Sequence, residues 1–474
     1  MEPDRSYRWR LFALSLAMLL PSLGTSIANV ALPTLAESFD APFHDVQWVV
    51  IAYLIAVTAL VVAAGRFGDM VGRRRLLLAG IAVFAVASAA GAFAGSLWML
   101  VAARAVQGAG AAVMMALTVA SVGDVVPKQA TGRAMGLLGT VSAVGTALGP
   151  SLGGALVAWF GWPSVFAFMA AAGAATFLFG HRLFPRDPVA RGAGLSLDVA
   201  GTLLLTLSLG AYALSTTVDA VPGVNAMLAA AAAIGLAIFV AVELRVRTPL
   251  IRLPMLRDRT LSTGLAALAL VSAIVMATLV VGPFYLAEVL GLAPVDVGLV
   301  MSVGPGVAAL AGIPAGRMVD HLGAYTVALA GLAGVVAGSL LMVALPGTFG
   351  LAGYVASLAT ITAGYALFQA AGNTAVMNGA AADRRGLVSA LLALARNLGL
   401  VTGASLMGAL FAAGLSGMPA IDLAPGGETG LRLTFAVAAA FAAVALGLAA
   451  WGLPGRGRLP GASGAETAPR GEAG

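Results

Sequence analysis

The sequence predicts an all-α integral membrane protein, and three observations predict it. Of the 474 residues, 60% are hydrophobic and only 10% charged, whereas soluble domains carry about a quarter charged residues to cover their water-facing surface. The apolar residues gather in runs of about 20, the length that crosses a bilayer as a helix, without the ten-residue alternation of a membrane barrel. The basic residues collect between alternate runs, as the positive-inside rule requires of spans with fixed orientation. Inside lipid each backbone group must be satisfied within its own segment, so runs of this length are helices. Mean hydropathy, +0.98, agrees.

The first span reads over 11–34. A basic start, Met1 to Arg10, precedes it. The run is longer than the apolar core of a cleaved signal peptide, so it is expected to stay on the chain. Further spans follow near 47–65, 76–95, 97–120, 134–157, 163–181, 197–217, 226–243, 262–286, 295–314, 326–345, 350–373, 387–412 and 433–453, fourteen with the first. With the N-terminus in the cytoplasm, one side receives Arg66, Arg73, Arg74 and Arg75, then Lys128, Arg133 and Arg182, then Arg245, Arg247, Arg257, Arg317, Arg384 and Arg385. Loops on the other side carry acids: Glu37, Asp40, Asp45, Asp219, Glu288, Asp296, Asp422 and Glu428. The net charge of +6 is therefore topology, with anionic membrane lipids rather than nucleic acid as its partner. The expected location is a bacterial inner membrane, multi-pass, with both termini cytoplasmic.

Gly65-Arg66-Phe67-Gly68-Asp69-Met70-Val71-Gly72 recurs as Gly316-Arg317-Met318-Val319-Asp320-His321-Leu322-Gly323. Both copies read GRxxDxxG on a cytoplasmic loop between two spans. Parallel repeats that rock around a midplane site are a transporter architecture. The chain then divides into an N-terminal six-helix bundle (1–182), two extra transmembrane helices with their linkers (183–259) and a C-terminal six-helix bundle (260–453). A tail, 454–474, rich in Gly, Pro and Ala, is expected to be disordered. No enzyme and no cofactor are expected: cysteine is absent, and neither a metal-ligand cluster, a nucleophile–base set nor a glycine-lysine phosphate loop occurs. The lack of a soluble signalling domain argues against a receptor.

On these residues the chain resembles the major facilitator superfamily along nearly its whole length. The stretch from Gly65 to Leu77 matches the signature loop of that superfamily, which implies a gating latch at Asp69, Arg73 and the repeat's Asp320. Leu100 to Ala112 (LVAARAVQGAGAA) is similar to its buried-arginine motif, with Arg104 facing a cavity at a cost of about 2.5–3.5 kcal/mol on insertion scales. In span 5, Gly136, Gly145, Gly149, Pro150, Gly153 and Gly154 resemble a glycine pattern of its antiporters, adding Gly149 and Pro150 to the gating set. Asn29 to Pro33 (NVALP), Gln47-Trp48, Tyr53, Glu243-Leu244-Arg245, Thr248-Pro249-Leu250-Ile251 and Arg396-Asn397-Leu398-Gly399 resemble the fourteen-span drug:proton antiporter branch.

One departure matters. That branch carries an acid early in span 1, where this chain has Gly24. A buried carboxylate suits proton carriage and cationic drugs because burial raises its pKa into the working range. A cavity with Arg104 and Arg396 and no central acid suits neutral or anionic solutes. The candidate lining is Thr25, Ser26, Asn29, Gln47, Trp48, Tyr53, Arg104, Gln107, Tyr285, Gln369, Asn373 and Arg396, with Phe368 and Asn378 beside them. Amides and hydroxyls orient a ligand and aromatics give it flat walls, so a planar solute such as riboflavin is the example. The preferred expectation is a monomeric secondary transporter of one neutral or anionic metabolite, with protons as a candidate coupling ion. The alternative is multidrug efflux by drug:proton antiport.

Overall fold

Why the chain is all helix follows from its solvent; where the helices break follows from its prolines and glycines. The computed structural model describes residues 5–125, 131–184, 199–217, 223–246, 253–378, 385–415 and 423–452. Among these there is no strand. The helices are α1 (Arg5–Ser26), α2 (Leu32–Phe39), α3 (Phe43–Val46), α4 (Trp48–Val71), α5 (Arg73–Ala92), α6 (Leu97–Val125), α7 (Thr131–Phe160), α8 (Pro163–Leu183) and α9 (Val199–Thr217). Then come α10 (Val224–Glu243), α11 (Arg259–Phe284), α12 (Pro294–Met301), α13 (Val303–Leu322), α14 (Ala324–Ala344), α15 (Pro346–Asn378), α16 (Arg385–Thr402), α17 (Gly408–Leu415) and α18 (Leu423–Gly452). Twelve stretches among the described residues are long and apolar enough to cross a membrane, and two shorter apolar helices, Val144–Phe160 and Ala200–Thr216, fall at the fifth and seventh expected spans. By length and hydropathy alone the count is therefore twelve; fourteen is the reading of the charge pattern.

The first span is not the continuous helix expected over 11–34. Pro33 has no N–H to return to Asn29 and its ring crowds that carbonyl. The chain tightens instead into a 3₁₀ turn, Asn29–Ala31, with the Leu32 N–H bonded to the Asn29 carbonyl. Two other spans are interrupted by π-helical turns, Tyr285–Val289 after α11 and Gly403–Met407 between α16 and α17. Such turns leave carbonyls and side chains out of register with the helix ladder, and they gather at functional positions.

The helices sort into packed groups. α1, α4, α5, α6, α7 and α8 pack on one another, as do α11, α13, α14, α15, α16 and α18. α9 and α10 pair with each other, and α9 also rests on α4 and on the π turn at Gly403–Met407. Between the two large groups the packing runs through α7 against α12 and α16 against α4. The outer faces are apolar, and exposed aromatics sit near helix ends: Trp9, Phe93, Trp98, Trp159, Phe160, Phe349 and Trp451. Amphipathic rings at those levels mark the two membrane–water interfaces.

Candidate functional site

Three separate features are candidates for the site: a polar knot in the first group, a small cavity in the second, and an aromatic seal between the groups. The knot begins with Arg104 on α6, which is almost wholly buried (1% exposed). A guanidinium at that depth needs acceptors, and it finds them on neighbouring helices. Nε donates to the Val49 carbonyl at 2.8 Å, Nη2 to the Gly24 carbonyl at 3.0 Å and Nη1 to Gln107 Oε1 at 2.6 Å. Its carbon also lies 4.1 Å from the centre of the Tyr53 ring, a cation–π contact. No carboxylate pairs with it among the described residues. Gln107 continues the chain of bonds, its Nε2 donating to Ser88 Oγ at 2.6 Å. Arg104 is thus enclosed among α1, α4 and α6 rather than presented to an open cavity.

Gly24 and Tyr53 explain each other. The Tyr53 hydroxyl donates to the Pro21 carbonyl at 2.7 Å, which brings its oxygen to 3.0 Å from where a Cβ on Gly24 would stand. A side chain at residue 24, where the antiporter resemblance puts an acid, would stand against the Tyr53 hydroxyl. Of the neighbouring candidates, Ser26 donates to the Thr146 carbonyl at 2.8 Å and Thr25 to the Pro21 carbonyl at 3.1 Å. Asn29 Nδ2 reaches the Thr25 carbonyl at 3.4 Å while its buried Oδ1 has no partner. Trp48 is half-buried against the core.

The glycines of span 5 divide between two faces of α7. Gly145, Gly149 and Gly153, four residues apart, lie against α1: a Cβ on them would meet the Leu19 carbonyl, Ser26 with Ile27, and the Ile27 carbonyl respectively. Gly154 faces the other way. A Cβ there would stand 2.7 Å from the Gly298 Cα on α12, and one on Gly298 would stand 3.1 Å from the Pro150 carbonyl. The gating candidates Gly149 and Pro150 therefore sit on the α1 contact and the α12 contact in turn.

Beside that crossing the two groups close on aromatic rings. Phe43 on α3 packs edge-on to Phe284 at 4.4 Å between ring centres and lies 5.4 Å from Phe411 on α17. Gln47 is buried there with neither amide atom bonded, its side chain lying 2.6 Å from where a Cβ on Gly408 would be. Tyr285 stacks on Tyr354, 5.8 Å between centres and 19° between planes. These sealing phenylalanines carry no motif, and sequence reasoning missed them; a phenylalanine in a membrane protein is not distinctive until its neighbours are known.

In the second group a small cavity of about 10 Å³, room for about one water, lies at the junction of α11, α15 and α16, lined by Gly264, Leu268, Phe368, Gln369, Gly372 and Leu392. Arg396 is half-buried one helical turn beyond Leu392. A wider recess between α5 and α6 is lined by alanine, valine and methionine alone and offers a solute no polar group. The side chains of Asn373 and Asn378 lie outside the described residues, as does that of Asp69. Arg73 bonds within its own group, Nη1 to the Ala120 carbonyl at 2.9 Å, and Asp320 is exposed. Arg74 caps the C-terminus of α8, donating to the carbonyls of His181 at 2.7 Å and Phe184 at 3.1 Å, where a cation complements the helix dipole.

Comparison with known proteins adds the family. The model of the Major Facilitator Superfamily matches residues 14–404. The chain is 28% identical over 413 residues to the riboflavin transporter RibZ of Clostridioides difficile, covering 86% of this chain and 88% of that one. It is 31% identical over 410 residues to the multidrug efflux pump LfrA of Mycolicibacterium smegmatis, covering 85% and 80%. In fold it superposes on a bacterial homologue of the human lysosomal transporter Spinster with a TM-score of 0.68 at 15% identity, covering 95% of this chain and 97% of that one. All-helical architecture, paired helix groups and family match converge: the chain belongs to the major facilitator superfamily and is a multi-pass membrane transporter of small solutes, not an enzyme.

Proposed function

We propose that the protein is a secondary transporter of a neutral or anionic, planar organic solute, working as a monomer by alternating access in a bacterial inner membrane with both termini in the cytoplasm. The observation that carries this reading is a glycine at position 24, against the Tyr53 hydroxyl, beside a buried guanidinium that has no carboxylate partner among the described residues. A site of fixed positive charge repels lipophilic cations and tolerates neutral or acidic solutes. The two six-helix bundles, 1–182 and 260–453, would rock about the α7–α12 crossing, with the Phe43 seal closed on one side while the solute enters from the other. Similarity to RibZ, a riboflavin transporter by name, is consistent with a planar heterocycle.

A second reading, drug:proton antiport, draws on the similarity to LfrA. It needs a proton carrier other than residue 24, and Glu288 on the π turn beside the seal is one candidate carboxylate. One experiment separates the readings. The gene is expressed in bacterial strains that each need one imported solute, planar vitamins included, with cationic-dye efflux measured alongside. Growth rescue without gradient-dependent dye efflux is the expected result; dye efflux that collapses with the proton gradient, without rescue, overturns the metabolite reading.

A further inference from the structure

Gln47 follows α3 directly, its backbone N–H bonded to the Phe43 carbonyl at 3.1 Å. Side chains four residues apart in such a turn share a face, so Gln47 lies beside Phe43. α3 packs on α17 of the second group, where Phe43 meets Phe411 as well as Phe284 from α11. Gln47 meets Gly408, and the missing side chain of that glycine is what admits it. A Cβ on Gly408 would stand 2.6 Å from Gln47 Nε2 and 2.7 Å from both its Cδ and its Oε1. The amide of the first group is thus laid flat on a glycine of the second.

There the amide is 1% exposed, and neither of its polar atoms has a hydrogen-bond partner among the described residues. Gln107, equally buried, is bonded at both ends, to Arg104 and to Ser88. A buried amide without partners costs about 1–3 kcal/mol relative to one in water, and such a group calls for an explanation. The side chain belongs to one group and the surface that shuts it from water belongs to the other. The cost therefore falls only on the state in which the groups touch. Parting them by the width of a water molecule hydrates both ends of the amide, and a penalty confined to one of two states shifts the population toward the other.

We propose that Gln47 is the release element of the seal: its unbonded amide offsets the adhesion of the three phenylalanine rings, so that this end of the molecule reopens in each cycle. The proposal rests on the alternating-access reading above and adds to it what keeps the closed state from becoming a trap. An apolar side chain of similar length at residue 47 would hold the seal shut.

The test exploits the absence of cysteine. Ala277 precedes Phe284 by two helical turns, about 10 Å deeper on the same face of α11, and is fully buried. With Ala277→Cys as the sole thiol, a membrane-impermeant maleimide added outside cells labels the chain in proportion to the fraction of time the seal is open. Adding Gln47→Met should slow that labelling about tenfold, the equivalent of about 1.4 kcal/mol. The purified Gln47→Met chain should also melt higher in detergent than the wild type. Ser38→Cys, at an exposed position on α2, should label alike with either residue at 47. Inverted vesicles are run alongside; if Ser38→Cys labels only there, the orientation proposed above is wrong, and the same two Ala277→Cys rates decide the release role in the vesicles. An unchanged Ala277→Cys rate overturns the release role and leaves the transporter reading intact. A lower melting point overturns it too, because the amide must then be bonded in the closed state. If Ala277→Cys never labels where Ser38→Cys does, the release role falls together with opening at this end.

Discussion

Gly24 illustrates how far a single position can be read from sequence. The absent acid is plain in the text of span 1, and so is its chemical meaning. That a tyrosine 29 positions further on takes the space is not, because Tyr53 reaches it across a helix pair. A methyl group at residue 24 would press on the Tyr53 hydroxyl, and overpacking of this kind costs about 1–3 kcal/mol. Gly24→Ala should therefore lower the thermal midpoint in detergent. The double variant Gly24→Ala/Tyr53→Phe should recover part of the loss, since removing the hydroxyl frees the space; strict additivity of the two changes would contradict the contact. The knot makes a second prediction. Lysine in place of Arg104 keeps the charge but cannot reach three acceptors and a ring face at once. Arg104→Lys should fold less stably by about 2 kcal/mol, in line with losing charge-assisted bonds. A melt indistinguishable from the wild type would show that those bonds contribute little.

Among elements, the runs of apolar residues announced the spans, whereas the 3₁₀ turn ahead of Pro33 was not read from the sequence, where the first span ran unbroken over 11–34. The π turns were not legible, because nothing in Tyr285–Val289 or Gly403–Met407 departs from ordinary helix composition. Nor was the role of α9. It lies between α4 of the first group and the π turn of the second, and so adds a tie that the bundles must release or carry with them during each cycle.

For the molecule as a whole, composition and arginine placement made the membrane fold legible, and the glycine spacing of span 5 pointed to close packing. Sequence could not say that the same motif serves two partners, since facing α1 or α12 is a matter of a 100° step around α7. Nor could it find the seal. Because the chain contains no cysteine, paired cysteines can be introduced without background. Phe43→Cys with Phe411→Cys, bridged by a short bifunctional thiol reagent, should arrest transport, whereas each single variant treated alike should keep it. Continued transport after complete bridging would mean that this end need not open. The contact between Gly154 and Gly298 has a consequence for the history of the protein. Each residue is already the smallest that heredity can supply, so a larger neighbour on one helix cannot be answered by a smaller one on the other. Most packing errors can be forgiven by a second substitution nearby; here the two positions leave descent no such remedy, and a lineage that enlarges either must move the helices apart or lose the crossing.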